Sequence, residues 1–361
     1  MPFIIVISQI ILGLWALFYI LYVGQAIILP LIYALILAIL LNPLVNFLCG
    51  KGLNRVWAIT ITLLFAIIFL SVVIYFLGSE SARFSETFPA LQQKFNVMLK
   101  DGTDWVSDKF GIEHHKIDDW IEKMRTESIN LSGSVIGKTL LTVTAVLTLV
   151  FLLPVYIFMF LFYKPLLLEF IARLFRKSNQ DTVAEVLMET KRLIQSYLVG
   201  LAVEALIIAI LNSVGLLILG IQYAFLLGII GAIVNVIPWI GGLISIALPV
   251  IVALATKSPA YALWVVAIYV VIQFVDNHFL IPKIVASRVK INALVSLVVV
   301  FVGGELWGVP GMFLSIPLTA LIKVVFDRME SLEPFGFLLG DNMPPPGKSV
   351  FKFRSRKSTK K

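Results

Sequence analysis

Three carboxylates lie inside apolar stretches of this 361-residue chain, where acidic residues are rare and usually serve a function. Of the 21 acidic residues, all but Glu204, Asp276 and Glu305 fall in polar segments. An ionised side chain in hydrocarbon costs about 2.5–3.5 kcal/mol even on lenient insertion scales, so such a group is expected to be paired, protonated or in contact with water. These acids are therefore predicted to bind a proton or a cation. The alternative is a structural hydrogen bond between helices.

Three amide side chains accompany the acids. Asn212 and Asn235 are embedded in apolar sequence, and Asn277 directly follows Asp276 near the end of a span, where water can reach. Because an amide both donates and accepts hydrogen bonds, each is a candidate ligand for a polar solute. For Asn235 the alternative is that it satisfies backbone groups around the nearby proline.

Glycine and proline interrupt two of the apolar segments, 224–255 and 293–325. The interruptions contain Pro238, Gly241 and Gly242 in the first segment and Gly303, Gly304, Gly308, Pro310 and Gly311 in the second. Each segment is too short for two full crossings of about 20 residues with a loop, but long enough for two half-helices that meet at a turn. We therefore predict two re-entrant hairpins, each broken near the membrane midplane, with pairs of short full crossings as the alternative.

The composition excludes a soluble enzyme. Hydrophobic residues make up 60% of the chain and charged residues 14%, against about 45–50% and about 25% in soluble domains. Six further stretches are long enough to cross a bilayer, at about 3–23, 26–45, 57–77, 139–162, 197–219 and 260–281. The predicted fold is an all-α multi-pass membrane protein with about eight hydrophobic segments.

The predicted domains follow from these segments. They are residues 1–78 with three spans, an extracytoplasmic helical domain at 79–136, span four at 137–162, cytoplasmic amphipathic helices at 163–196, a transport core at 197–326 and a basic disordered tail at 327–361. In the extracytoplasmic domain an apolar stripe repeats at helical spacing, at Phe84, Phe88, Leu91, Phe95 and Met98. The stripe is expected to pack against itself or the membrane surface, or to act as a lid or partner site.

The distribution of basic residues predicts the topology. Of the 29 Lys and Arg, 19 fall in 46–56, 163–196, 277–292 and 327–361, which places these segments and both termini in the cytoplasm by the positive-inside rule. The units 197–255 and 260–325 then share one plan, a span plus a broken hairpin, and enter from opposite sides of the membrane. Such an inverted repeat with interrupted helices points to a transport site near the midplane.

Other classes of function lack support in the sequence. The net charge of +8 follows from topology, so a nucleic-acid partner is not predicted. The chain carries no phosphate-binding loop, zinc-protease motif or nucleophile elbow, so neither enzymatic activity nor a cofactor is predicted. Cys49 is the only cysteine, which excludes a cysteine-based metal site within one chain.

Several motifs over about 190–330 resemble, in order and spacing, those of the autoinducer-2 exporter family of multi-pass permeases. They are Tyr197-Leu-Val-Gly200, Ile-Pro238-x-Ile-Gly241, Asp276-Asn-x-x-Leu-Ile-Pro282-Lys-Ile, Lys290-Ile-Asn292 and Gly303-Gly304-x-x-x-Gly308-x-x-Gly311-x-x-x-x-x-Pro317. Gly242 and Ala293 stand where many members have proline. The resemblance implies a bacterial inner-membrane secondary transporter with cytoplasmic termini, and some members of the family exchange sodium for protons.

The leading hypothesis is therefore an exporter of a small polar solute such as autoinducer-2, coupled to H+ or Na+ and working in the lipid bilayer. One alternative is a monovalent cation/proton antiporter, and another is a membrane scaffold whose external domain and tail bind partners. The apolar faces of spans one to four leave a homo-oligomer open. The transport hypotheses require the buried acids, whereas the scaffold hypothesis does not.

Overall fold

The structure is a computed structural model that describes residues 3–110, 151–176, 180–237, 241–286, 289 and 291–341. Its helices are α1 (Phe3–Val23), α2 (Gln25–Gly50), α3 (Arg55–Phe110), α4 (Phe151–Phe162), α5 (Lys164–Leu174), α6 (Gln180–Ile218), α7 (Ala224–Asn235), α8 (Gly241–Thr256), α9 (Pro259–Val275), a π-helix (Asp276–Ala286), α10 (Ala293–Phe326) and α11 (Glu333–Leu339). Within these ranges there is no β-strand, only an isolated bridge between Ile291 and Gly340.

Six helices in the described ranges are long and apolar enough to cross a membrane. They are α1, α2, α3, α6, α9 with most of the π-helix, and α10 when its whole length across a break at Gly308 is counted. Helices α4 and α5 add a seventh span if this pair, bent by 61°, is counted as one. Large apolar side chains cover the outside of the bundle, for example Trp15 at 66% and Trp264 at 62% exposure. Such a surface is stable in lipid and not in water. The predicted all-α membrane fold is confirmed.

Helix α3 is longer than the sequence predicts. A span over 57–77 and a separate helical domain from residue 79 were expected, but one helix runs from Arg55 to Phe110, about 84 Å. The sequence changes from apolar to polar near residue 78, but this change does not end the helix. Many of the polar residues that follow are good helix formers, so the helix continues through them. The second half of the predicted domain, 111–136, lies outside the described residues.

The extension of α3 packs on the C-terminal half of the chain. Leu91 is 5% exposed and shares a cluster with Leu216 and Val252. The hydroxyls of Thr87 and Tyr223 lie 2.7 Å apart in a hydrogen bond. Phe84 and Leu91 of the apolar stripe therefore contact the ends of α6, α7 and α8, which the sequence had not indicated.

Helices α7 and α8 form an antiparallel pair with both outer ends at the same end of the bundle. A Cβ added to Gly220, just before α7, would lie 3.4 Å from Nζ of Lys257, just after α8. With 12 residues, α7 is about 18 Å long, which is short of the bilayer core of about 30 Å. These observations support the predicted re-entrant hairpin; its side of entry stays a prediction.

Helix α10 reverses direction at Gly308, whose φ of 65° and ψ of −147° are not helical. Its two arms, 293–307 and 309–326, pack so closely that a Cβ on Gly303 would lie 2.5 Å from the carbonyl oxygen of Gly311. The break therefore falls at Gly308, and the other glycines allow the arms to approach.

The tip of α10 reaches close to the turn between α1 and α2. Nε1 of Trp307 donates to the carbonyl of Leu21 at 3.0 Å, and Tyr33 donates to the carbonyl of Pro310 at 3.2 Å. Leu21 is only two residues from the end of α1. The break was expected near the membrane midplane, but the tip lies closer to the end of α1 than to its middle. The two arms explain this depth, because with 15 and 18 residues they are about 22 and 27 Å long.

The opposite end of the bundle contains the described parts of the segments that are predicted to be cytoplasmic. Asn292 caps α10 by accepting from the amide of Val295 at 2.8 Å and donates to the carbonyl of Leu338 at 2.6 Å. Arg328 forms ion pairs with Glu185 and Glu189 of α6. Residues 327–341 are thus folded through α11, and the prediction of a disordered tail from 327 is wrong for this part. The rest, 342–361, lies outside the described residues.

Candidate functional site: a buried carboxylate pair

Two of the three predicted acids meet in the interior. Glu204, in the middle of α6, is 6% exposed, and Asp276, the first residue of the π-helix, is fully buried. Their carboxyl groups lie close enough together to act on each other electrostatically. Since ionised carboxylates have no donor, one of the two can donate a hydrogen bond to the other only when it holds a proton. We call Glu204 and Asp276 the carboxylate pair.

Asp276 is also held by two amides. Nδ2 of Asn235 donates to its Oδ2 at 2.9 Å, and Nε2 of Gln273 approaches the same oxygen at 3.5 Å. The other oxygen, Oδ1, is buried and receives no hydrogen bond from the described residues. Buried polar atoms in native proteins nearly always have a partner, so this oxygen is available to a proton, a water molecule or a cation.

The first hairpin break positions both amides. Asn235 is the last residue of α7, and Gly241 packs on it so tightly that a Cβ at position 241 would lie 2.7 Å from the Asn235 Cα. Gly242 lies against Gln273, where a Cβ would be 2.6 Å from Oε1. The glycines therefore let the tip of the hairpin reach Asp276. Pro238 lies outside the described residues.

The backbone that begins at Asp276 is a π-helix and not a continuation of the α-helix. The sequence predicts an uninterrupted α-helical span over about 260–281, but α9 ends at Val275 and wider turns follow. Pro282 lacks an amide proton, and in an α-helix its ring would clash with the carbonyl four residues earlier. The wider π turn avoids that clash, and such turns are frequent at functional sites.

The electrostatics of the carboxylate pair favour binding of a positive species. The groups that act on the two carboxyls include each other, the amides of Asn235 and Gln273 and, at Glu204, the hydroxyl of Tyr197, none of which is cationic. Two ionised carboxylates side by side in a low-dielectric interior repel each other. A proton or a monovalent cation relieves that repulsion, and carboxylate and amide oxygens suit a hard cation.

A second polar layer lies two helical turns away. Asn212 and Tyr269 are 2% and 4% exposed, and a Cβ on Gly231 would lie 3.2 Å from Nδ2 of the first and 3.6 Å from the hydroxyl of the second. Asn212 follows Glu204 by eight residues, about 12 Å along α6, and Tyr269 precedes Asp276 by seven residues, about 10 Å along α9. Oδ1 of Asn212 and the Tyr269 hydroxyl also have no partner among the described residues. The predicted residue Asn212 thus belongs to a separate layer.

Two predicted site residues do not join the carboxylate pair. Asn277 is exposed, because the next residue after Asp276 points about 100° away around the helix. Glu305 is also exposed and lies near the tip of α10, two residues before Trp307. Gln273 and Tyr269 were missed. Their spacing of three and seven residues before Asp276 places them on its face of the helix, a signal that could have found them.

A cleft of about 500 Å³ approaches the carboxylate pair from the end that carries the basic segments. Its wall includes Gln195, Gly200 and Val203 of α6 and Lys283 of the π-helix, besides parts of α2. Val203 precedes Glu204 directly. The cleft therefore extends along α6 as far as the residue before Glu204.

Residues 7–331 match the pattern of the family described as AI-2E family transporter. This chain belongs to the AI-2E family. It is similar to YrrI of Bacillus subtilis strain 168, with 27% identity over 86% of this chain and 88% of the relative. YhhT of Escherichia coli strain K12 is 26% identical over 88% and 89%, and PerM of the same strain 27% over 82% and 85%. The names of the first two describe transport and that of the third a permease.

The AI-2E family fixes the general activity. The protein is a multi-pass membrane transporter and not an enzyme. The resemblance read from the sequence motifs is thereby confirmed. The carboxylate pair, the second polar layer and the cleft all lie within the part of the chain that matches the AI-2E family.

Proposed function

We propose that the protein is a secondary transporter that exports a small polar solute in exchange for H+ or Na+, with the carboxylate pair as the coupling site. The observation that carries the proposal is the burial of two carboxyl groups, those of Glu204 and Asp276, next to each other within apolar helices. Such a pair is stable when it holds a positive species and repulsive when it does not. Binding and release of that species can therefore drive a change of conformation.

The cleft supplies the proposed route for the solute. Its volume of about 500 Å³ is within the usual range of small-molecule sites. Gln195, Ser196 and Lys283 give it polar groups that can orient a hydroxylated solute. The cleft opens at the end of the bundle where the predicted cytoplasmic segments lie. We therefore place its mouth and both termini on the cytoplasmic side of a bacterial inner membrane.

Flux in proteoliposomes tests the proposal. Glu204→Gln and Asp276→Asn keep the shape of each side chain but remove titration. We expect each to lower uptake driven by a pH or Na+ gradient at least about tenfold, since a hydrogen bond to an ionised group contributes about 1.5–3 kcal/mol and 1.4 kcal/mol is a factor of ten. Glu305→Gln, the same change at an exposed acid, is the matched control. Wild-type flux in both site variants would overturn the proposal.

A monovalent cation/proton antiporter without organic substrate is the second candidate. The complete burial of Asp276 favours it, because a fully enclosed carboxylate has room for an ion but not for an organic molecule. The two candidates differ in one measurement. An antiporter exchanges Na+ for H+ across vesicles that contain no organic solute, whereas the exporter moves H+ or Na+ only when a solute such as autoinducer-2 is present.

A further inference from the structure

A second group of unusual charges lies outside the carboxylate pair, where the ends of α2, α3, α4 and α6 meet. Nζ of Lys164 donates to Oδ1 of Asn42 at 3.0 Å, and Nη2 of Arg55 donates to the carbonyl of Leu161 at 2.6 Å. Lys191 and Arg55 both lie within range of electrostatic repulsion of Lys164. We call Arg55, Lys164, Lys191 and Asn42 the basic cluster.

The basic cluster has no acidic counterpart in the described part of the chain. The ion pairs at this end of the bundle use other cations, Arg173 with Glu169 and Arg328 with two glutamates of α6. Three cations that repel each other at a partly buried place destabilise the fold unless an anion compensates them. The charge balance therefore points to a bound anion.

Unpaired donors give the same indication independently. Asn42 is 5% exposed, and its Nδ2 is buried without an acceptor among the described residues; the same holds for Nε of Arg55. Buried donors in native structures are nearly always satisfied. Amide, guanidinium and ammonium donors on neighbouring side chains together suit an anion with several oxygens, and phosphate is the common biological example.

The location indicates which phosphate is meant. The basic cluster lies at the ends of apolar helices, and the neighbouring side chains Phe162 and Tyr163 are 38% and 47% exposed. The same end holds most of the basic segments and faces the cytoplasm in the proposed topology. The cytoplasmic leaflet is rich in anionic lipids, to which basic side chains at the surface are attracted.

We propose that the basic cluster binds a phosphate group, supplied by the head group of an anionic phospholipid in the cytoplasmic leaflet. The phosphate accepts from Nδ2 of Asn42 and from Arg55 and is neutralised by Lys164 and Lys191. Lys191 precedes Glu204 by 13 residues, about 20 Å along α6, so this site and the coupling site are separate. The lipid would join α2, α3, α4 and α6 at one end of the bundle.

The test uses the full-length protein, purified in detergent and stripped of lipid. Phosphatidylglycerol, phosphatidylcholine or inorganic phosphate is titrated while the midpoint of thermal unfolding is followed and bound lipid is counted by native mass spectrometry. We expect phosphatidylglycerol to raise the midpoint and phosphatidylcholine to leave it unchanged. Stabilisation by inorganic phosphate as well would assign the site to soluble phosphate too. No response to either phosphate source would overturn the proposal.

Variants locate the effect at the basic cluster. Lys164→Gln and Lys191→Gln should raise the phosphatidylglycerol concentration for half-maximal stabilisation about tenfold, as expected for the loss of one charge-assisted hydrogen bond. Arg192→Gln removes the same charge from the exposed neighbouring residue and should behave as wild type. Lys164→Arg, which keeps the charge, should retain binding and shows that the position tolerates substitution. If Arg192→Gln weakened phosphatidylglycerol binding equally, the effect would come from the total charge of the protein and not from the basic cluster, and the proposal would be overturned.

Discussion

Asn235, the last residue of α7, donates a hydrogen bond of 2.9 Å to Asp276, the first residue of the π-helix. This bond joins the break of the first hairpin to the segment in which the second repeat unit was expected to begin. A movement of the hairpin tip therefore changes the surroundings of the carboxylate pair, and a change of its charge acts on the hairpin.

Loss of the Asn235 amide is expected to impair coupling. Asn235→Ala leaves Asp276 with only the long contact to Gln273, so ion affinity should fall about tenfold or more, since hydrogen bonds to charged groups contribute about 1.5–3 kcal/mol. The measurement is the H+ or Na+ concentration for half-maximal flux in proteoliposomes. Asn277→Ala is the control, because it removes an exposed amide from the residue next to Asp276. An equal effect of both variants would contradict a specific role.

A side chain at position 242 is expected to reduce flux without unfolding the protein. In Gly242→Ala the new Cβ would lie 2.6 Å from Oε1 of Gln273 and force that side chain away from Asp276. Gly13→Ala, where nothing lies within 4 Å of the new atom, is the matched control. Flux and the unfolding midpoint are measured for both. Normal flux in Gly242→Ala would show that Gln273 does not contribute.

The turn at Gly308 is expected to require glycine for its backbone alone. No atom lies within 4 Å of a Cβ there, but φ of 65° and ψ of −147° belong to a region that is essentially restricted to glycine. Gly308→Ala should therefore lower the free energy of unfolding by about 1–3 kcal/mol. Gly50→Ala, also without near atoms but at an ordinary φ, should have little effect. Thermal unfolding in detergent compares the two.

Labelling of single cysteines tests the topology. In a Cys49→Ala background, a cysteine at Lys257 should react with an impermeant reagent added outside the cell, and one at Arg288 should not. Residue 288 itself lies outside the described residues. The first expectation rests on the proximity of Gly220 and Lys257 at one end of the bundle. Reaction of both positions from the same side would contradict the inverted repeat.

Hydropathy predicted depth in the membrane but not which face of a helix a residue occupies. Glu204, Asp276 and Glu305 were all recognised as acids within apolar sequence, yet only the first two are buried. Their meeting joins segments 72 residues apart in the chain, and no local pattern encodes that contact. The exposure of Glu305 likewise depends on the reversal at Gly308 and on the docking of Trp307 at Leu21.

The helix ends show a similar division. Apolar runs predicted α1 and the starts of α2, α7 and α10 within one residue, whereas α2 continues to Gly50, five residues beyond the predicted end. The continuity of α3 was missed because a change in polarity was taken as a domain boundary. The π-helix was missed because hydrophobicity does not report hydrogen-bond spacing, although Pro282 six residues after Asp276 carried the signal.

Helix α3 is held at two distant points. At its first residue, Arg55 belongs to the basic cluster and bonds to Leu161; 32 residues further, about 48 Å, Thr87 bonds to Tyr223 at the entrance of the first hairpin. Tyr223 has a φ of 60°, unusual for a residue with a bulky side chain, and it packs edge-on against Phe84 of α3. A tilt of α3 at Arg55 would therefore also move Tyr223, so a lipid bound at the basic cluster, as proposed above, is expected to influence the first hairpin from the membrane surface.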